Sequence, residues 1–364
     1  MNIIFHHPLP LDKNAKSASG IRPLRMFTAF ESLGYKVDLV TGYSSERKDC
    51  IAKVKENIRQ GKKYDFVYSE SSTMPTMLTE PHHLPSHPFL DWSFFRFCKK
   101  KGIPTGLFYR DIYWKFDNYG AGLNRLKKVA AKLAYRFDIW VYKRTLAKLY
   151  LPSVKMADYI PEVNFDIIQA LPPGHSYPDT YQMKNSGLTP PPLKLFYVGG
   201  MSEHYQLHKL FEVVRQLPNI ELTVCTRLDE WNNVSRSYPS LTPNIKMVHE
   251  SADGMEKLLR ESDIAVLFVK PHEYWEFAAP VKLYEYIGHR KPIIASEKTL
   301  AGHFVEDNGL GWTIPYEEEA LKALLNQLLL NPQEVDSVRH NLVEIAPKHS
   351  WLARANRVAE ELRS

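Results

Sequence analysis

Short apolar runs alternate with amphipathic stretches along most of the chain. NIIFHHP (2–8) reads as a buried strand, IRPLRMFTAFESLG (21–34) as a helix ending at Gly34, and KVDLVTG (36–42) as a second strand. Strand–helix–strand is the repeating unit of a parallel sheet with helical crossovers. YDFVYSE (64–70), IPTGLFYRD (103–111) and LAKLYLPS (146–153) repeat the strand signal, and ADYIPEV (157–163) is read as continuing the alternation. Residues 172–192, rich in Pro, Gly, Ser and Thr, form the best linker in the chain. Beyond it the alternation restarts. LKLFYVGG (193–200), ELTVCT (221–226), IKMVHE (245–250), IAVLFVK (264–270) and PIIAS (292–296) read as strands, with helices at HKLFEVVRQL (208–217) and MEKLLRES (255–262). The pattern predicts an α/β protein of two Rossmann-like, doubly wound domains, 1–180 and 193–350, facing a central cleft. Residues 351–364, at the end of HSWLARANRVAEELRS, are expected to form a helix that crosses back to the first domain. In such sheets ligands sit beyond the carboxyl ends of the strands, so the loops that follow strands carry the candidate chemistry.

Length and composition fit this division: 364 residues, 44% apolar and 24% charged, exceed what one compact core holds. MNIIFHHPLP lacks the basic region and long apolar run of a secretory leader. No stretch approaches the ~18 uninterrupted apolar residues of a membrane span. Cys50, Cys98 and Cys225 are odd in number and far apart, which points to reduced thiols and a cytosolic compartment.

Charge changes the picture in one place. Residues 122–148 carry eight basic side chains against one acid, Asp138, so this segment holds +7 of a chain total of +6. A general polyanion binder would be basic over a broad face, and no nucleic-acid motif accompanies the segment, so nucleic acid is not an expected partner. Helical spacing puts Leu126, Val129 or Ala130, Leu133, Phe137 and Trp140 or Val141 on one face, with Arg125, Lys128, Lys132, Arg136 and Lys143 on another. Such a helix suits an anionic membrane surface; the plainer reading is a core helix with a solvated basic back.

Several strand-end loops hold candidate binding groups. Gly199 and Gly200 in YVGGMSEH permit close backbone approach to a ligand, with His204 and Tyr205 immediately beyond. Arg227, after ELTVCT, suits an anion or else pairs with Asp229 or Glu230. In EFAAPVKLYEYIGHRKPII (276–294), Pro280 fits the first turn of a helix whose exposed amides would receive phosphate, and Ala278 and Ala279 leave room for it. Lys282 and Glu285, three apart, share a face, either as a simple ion pair or as a phosphate contact and a hydroxyl acceptor.

APVKLYEYIGHRKPIIAS resembles the carboxyl-domain signature of bacterial GT-B glycosyltransferases of family-four type, which build cell-surface polysaccharides. The shape Pro-x-Lys-x-x-Glu-Tyr, then Lys-Pro and an apolar strand, carries the resemblance, together with the order of YVGG, DIAVLFVK and LPPG. It implies a nucleotide-sugar donor, with Glu285 on the ribose and the stretch 278–281 (Ala278, Ala279, Pro280 and Val281), with Lys282, facing the pyrophosphate through its backbone amides. Relatives often carry a glutamate eight positions before the second; here Phe277 stands there, with Glu276 beside it as the donor-sugar candidate. They also place an arginine where this chain has Gly200, which leaves Arg227 and Lys282 to meet the phosphate charge. No Asp-x-Asp pair occurs, so no metal and no cofactor is expected.

The acceptor's attacking hydroxyl needs a base. Asp111, at the end of a strand, is the first candidate and Glu70 the second; Gly20, Arg22 and Trp114 are candidate acceptor contacts. His82, His83 and His87 lie in PHHLPSHP, whose prolines and lack of partner ligands argue against zinc. The expected protein is therefore a glycosyltransferase acting on a lipid-linked or saccharide acceptor at the inner face of the plasma membrane. Alternatives are an epimerase or hydrolase of nucleotide sugars, or a non-catalytic binder of nucleotide sugars or polyanions.

Overall fold

The computed structural model describes residues 1–15, 18–116, 119–120, 122–176, 192–201, 205–251 and 253–363. Its strands are β1 (Asn2–His7), β2 (Lys36–Thr41), β3 (Phe66–Glu70), β4 (Thr105–Phe108), β5 (Lys148–Leu151) and β6 (Ile168–Ala170), then β7 (Leu193–Val198), β8 (Ile220–Cys225), β9 (Ile245–Val248), β10 (Ile264–Leu267), β11 (Ile293–Ser296) and β12 (Gly311–Ile314). The helices are α1 (Ala18–Ser32), α2 (Ser44–Arg59), α3 (Leu90–Lys100), α4 (Arg125–Thr145), α5 (His208–Val214) and α6 (Leu228–Val234). They continue with α7 (Asp253–Glu261), α8 (Val281–Gly288), α9 (Leu300–Asp307), α10 (Glu318–Leu330), α11 (Pro332–Ile345) and α12 (Trp351–Arg363).

Two six-stranded parallel sheets result, ordered β2-β1-β3-β4-β5-β6 and β12-β11-β10-β7-β8-β9. Each is doubly wound. The chain reverses direction across the sheet at β1/β3 in the first and at β7/β10 in the second, and loops at such a reversal diverge and leave room for a ligand. The strands are nearly continuous apolar runs because helices cover both faces.

The chain divides into one unit of Met1–Pro173 with Trp351–Ser364, and a second of Gly174–Ser350. α12 belongs to the first: Trp351, Ala355, Val358, Ala359 and Leu362 are buried with Phe5, Phe30 and Phe108. Gly106 on β4 permits this approach, since a Cβ there would lie 2.8 Å from both Leu362 Cδ1 and Tyr150 Cε2. Most of the expected linker, 177–191, lies outside the described residues.

Two expectations are corrected. ADYIPEV contributes no strand: Val154–Tyr159 is a 3₁₀ turn, and the sixth strand is Ile168–Ala170. Pro161, with no amide to donate, interrupts that run. The second concerns the plainer reading of α4, in which its apolar row packs in the core: Leu126, Val129 and Leu133 are exposed, and the face turned to the core is Ala131, Ala134, Tyr135, Asp138, Ile139 and Tyr142.

A buried polar network braces the strand ends of the first unit. Arg47 donates to both oxygens of Asp91 at 3.0 Å and also to the carbonyls of Pro8 and Gly42 at 2.9 and 2.6 Å. His6 bridges Asp91, 2.9 Å from Nε2, and Ser69, 2.8 Å from Nδ1. Arg47 holds the Asp91 carboxyl well below the ordinary range even though burial pushes the other way.

Candidate active site

In the second unit the groups converge at the β7/β10 reversal. Gly199 follows β7 directly with φ +141°, a backbone state that favours glycine, and a Cβ there would stand 2.7 Å from Lys282 Nζ. Three side chains hold this loop. Tyr197 donates its hydroxyl to the Gly200 carbonyl at 2.8 Å, Glu230 accepts the Met201 amide at 3.0 Å, and the Tyr286 hydroxyl accepts the Val198 amide at 3.0 Å.

Lys282 reaches the loop from the first turn of α8. Its ammonium donates to the Tyr197 hydroxyl at 2.9 Å and sits 4.3 Å from the Tyr197 ring centre and 4.2 Å from that of Tyr205. Burial pushes the amine down to about 7, while the carboxylates of Glu285 and Glu230 act to raise it. Two aromatic faces favour the cation but cannot replace its hydration, so the group is poised between its two states. An anion placed beside it would favour the charged one.

Pro280 is the N-cap of α8, so Val281 rather than Pro280 opens the helix. The Val281 and Lys282 amides stand ahead of the helix's own bonding and point out of its start. The Leu283 amide instead donates to the Pro280 carbonyl at 3.1 Å, and the Ala278 amide, an expected phosphate contact, is committed to the Tyr274 carbonyl at 3.0 Å. Ala279 is half-buried against the apolar core. Glu285 is half-buried one turn beyond Lys282. A shallow pocket opens alongside, lined by Tyr205, Leu267, Val269, Trp275, Ala278, Pro280, Lys282, Thr299 and Ala301.

Other expected donor contacts fall elsewhere. Arg227 is 78% exposed and pairs with Glu230, whose second oxygen holds the glycine loop, so it braces that carboxylate. Glu276 is exposed at the end of a 3₁₀ turn and lies off the pocket lining, whereas Phe277 is buried against Tyr274. His204 lies outside the described residues. Sequence reading missed Tyr197 and Trp275, and saw Glu230 only as a partner for Arg227, not as the group that holds the glycine loop. Tyr197 sits in an ordinary strand alternation, and Glu230 looks like a surface residue of α6.

In the first unit Asp111 is half-buried just beyond β4 and accepts the Tyr113 amide at 2.8 Å. Burial raises its carboxyl above the ordinary value, against the pull of the Tyr113 and Ile112 amides and Arg110. Glu70 is corrected: fully buried, it accepts from the Tyr68 hydroxyl at 2.6 Å, Arg22 Nε at 2.9 Å and Arg110 Nη2 at 3.4 Å. A carboxylate so committed and out of reach of solvent is no proton acceptor for a substrate. Arg22 is also corrected, since its guanidinium is buried 3.4 Å from the Phe108 ring centre and 5.5 Å from that of Trp351. Trp114 is buried parallel to Tyr135 at 5.0 Å and donates to the Tyr109 hydroxyl at 2.7 Å, so neither ring face awaits a sugar. Gly20 is half-buried in the first turn of α1. Among the described residues, no three His, Cys, Asp or Glu side chains converge as metal ligands would.

Residues 179–349 match the family described as glycosyl transferases group 1. No curated protein matches the chain. Among solved structures, HepE of Anabaena in complex with UDP is similar at TM-score 0.65 and 14% identity, over 100% of this chain and 99% of that one. Sucrose-phosphate synthase of Thermosynechococcus elongatus gives 0.64 at 12% identity, over 99% and 98%. The lipopolysaccharide outer core galactosyltransferase WaaB gives 0.54 at 11%, over 98% of each chain. Two doubly wound parallel sheets, each in its own unit, are the GT-B fold, and the chain is a glycosyltransferase of that class. More particularly, residues 179–349, nearly the whole second unit, are similar to the group 1 glycosyl transferases.

Proposed function

We propose that the protein moves a sugar from a nucleotide-sugar donor, bound on the second unit, to a lipid-linked or saccharide acceptor bound on the first. In this reading it serves surface polysaccharide synthesis at the cytoplasmic face of an anionic membrane, to which 122–148 attaches it. The observation that carries the donor half is Lys282 Nζ, held between two tyrosine rings beside Gly199 and at the start of α8. There the ammonium and the amides of Val281 and Lys282 oppose the charge that builds on the departing diphosphate. Glu285, acceptor-only when ionised, takes the paired hydroxyls of the ribose. Solved forms of HepE with UDP and with UDP-glucose support a nucleotide-sugar donor of this kind.

On the first unit Asp111 accepts the proton of the attacking hydroxyl, a role helped by a carboxyl raised towards the working pH. The diphosphate charge is met by Lys282 and amides, and no resident metal is assigned. The test is transfer from radiolabelled nucleotide sugars to a lipid extract, scored against release of free sugar. Glu285→Ala is expected to abolish donor binding, and a chelator to leave the rate unchanged. Full transfer by Glu285→Ala, or free sugar as the sole product, would overturn the reading.

A further inference from the structure

α4 carries three stripes where an ordinary surface helix carries two. One faces the core. Arg125, Lys132, Arg136 and Lys143 form a second, and the third is the outward row Leu126, Val129, Leu133, Phe137 and Trp140. Leu126 is 83% exposed, and Val129 and Leu133 are each 58% exposed. At its far end the row joins α3. Phe137 stacks on Trp140 at 5.7 Å, Trp140 meets Trp92 at 5.8 Å, and Phe89 lies 5.9 Å from Phe137 and 6.2 Å from Trp92. Arg144 covers the Trp140 ring at 4.2 Å and Arg96 the Trp92 ring at 5.6 Å. Lys99 Nζ donates to the Arg144 carbonyl at 2.7 Å and ties the two helix ends together.

We propose that this aromatic–aliphatic face, built by α3 and α4 together, inserts into the acyl boundary of an anionic bilayer. The inference rests on the membrane reading above and deepens it: the contact is an inserted face reaching beyond 122–148, not a basic segment held at the surface. Charge decides the occupant. The acids of the two helices, Asp91 and Asp138, are both buried, so the exposed charge around the face is of one sign. A second copy would bring an equally basic patch against it and be repelled. A bilayer offers anionic headgroups to the cations and hydrocarbon to the rings, with arginines and tryptophans at the boundary. Among the described residues no helix is long and apolar enough to cross a membrane, so the face lies in the interface.

The test uses the full chain with phosphatidylcholine vesicles, with and without phosphatidylglycerol, and with brominated acyl chains to quench inserted tryptophans. We expect binding to the anionic vesicles and quenching that is lost in the Trp92→Phe/Trp140→Phe protein. We also expect at least a tenfold weaker partition for Phe137→Ser/Trp140→Ser, with its circular dichroism and its donor-induced thermal shift unchanged. Vesicle binding without quenching, and indifferent to the serine pair, would overturn insertion and leave surface attachment standing. Absence of vesicle binding would overturn both, while the donor-induced shift reports separately on the enzyme. A dimer in solution that the serine pair dissolves would assign the face to a second copy and overturn the proposal.

Discussion

In the proposed donor site Lys282 would combine a role in binding with a cost in stability. As pH rises through about 7 the free protein loses the Lys282 charge, so donor affinity should fall by about tenfold per unit above that point. Lys282→Arg, charged throughout, should flatten this dependence in calorimetric titrations from pH 6 to 9; an unchanged slope would remove Lys282 from the donor site. The sign for folding is opposite. An unfolded lysine titrates near ~10.4, so between about 7 and that value the unfolded chain holds more protons and stability rises with pH. Lys282→Met should therefore raise the second unit's Tm by a few degrees at pH 7, since about 1 kcal/mol moves Tm by ~2–4 °C in a unit of this size. The same variant should lose donor affinity. Asp111→Asn is expected to lower kcat by roughly a hundredfold or more with donor Kd unchanged, because a general base acts on the proton and not on the donor.

At the scale of elements, the glycine loop and α8 act as a pair. Gly199→Ala would put a methyl 2.7 Å from Lys282 Nζ in a left-handed backbone, displacing the ammonium from its rings. We expect at least tenfold weaker donor binding by titration, with the second unit's fold retained; unaltered affinity would mean that Lys282 acts from another position. A buried glycine behaves differently. Gly106→Val would meet Leu362 and Tyr150 side chains at once, and overpacking of this kind costs roughly 1–3 kcal/mol. Its effect should appear in the unfolding of the first unit and leave donor binding alone.

For the whole molecule, the telling feature is the return of α12 to the first unit. Trp351 and Leu362 close the core there, and Trp351 covers the guanidinium of Arg22, which holds Glu70. Ending the chain after Ser350 should abolish the first unit's calorimetric transition and expose it to protease. The second unit should keep its own transition and its donor-induced shift. A truncated protein with both transitions intact would show α12 to be an ornament.

Alternation of apolar runs and helical spacings was enough to announce two parallel, doubly wound sheets, because burial on both faces demands such runs. The motif around 280–294 marked α8 and set Lys282 and Glu285 on it, since a helix start and the spacing of its side chains are local properties of consecutive residues. Tertiary structure decided what distant residues do to one another. Glu70 looked like a base until Arg22 and Arg110 closed on it from other elements, and of the two readings open for Arg227, an anion contact or an ion pair, the fold chose the pair with Glu230. Periodicity found an apolar row on α4 but could not say which of its faces met the core. That choice belongs to the neighbours that pack against the helix, and they left Leu126, Val129 and Leu133 facing outward.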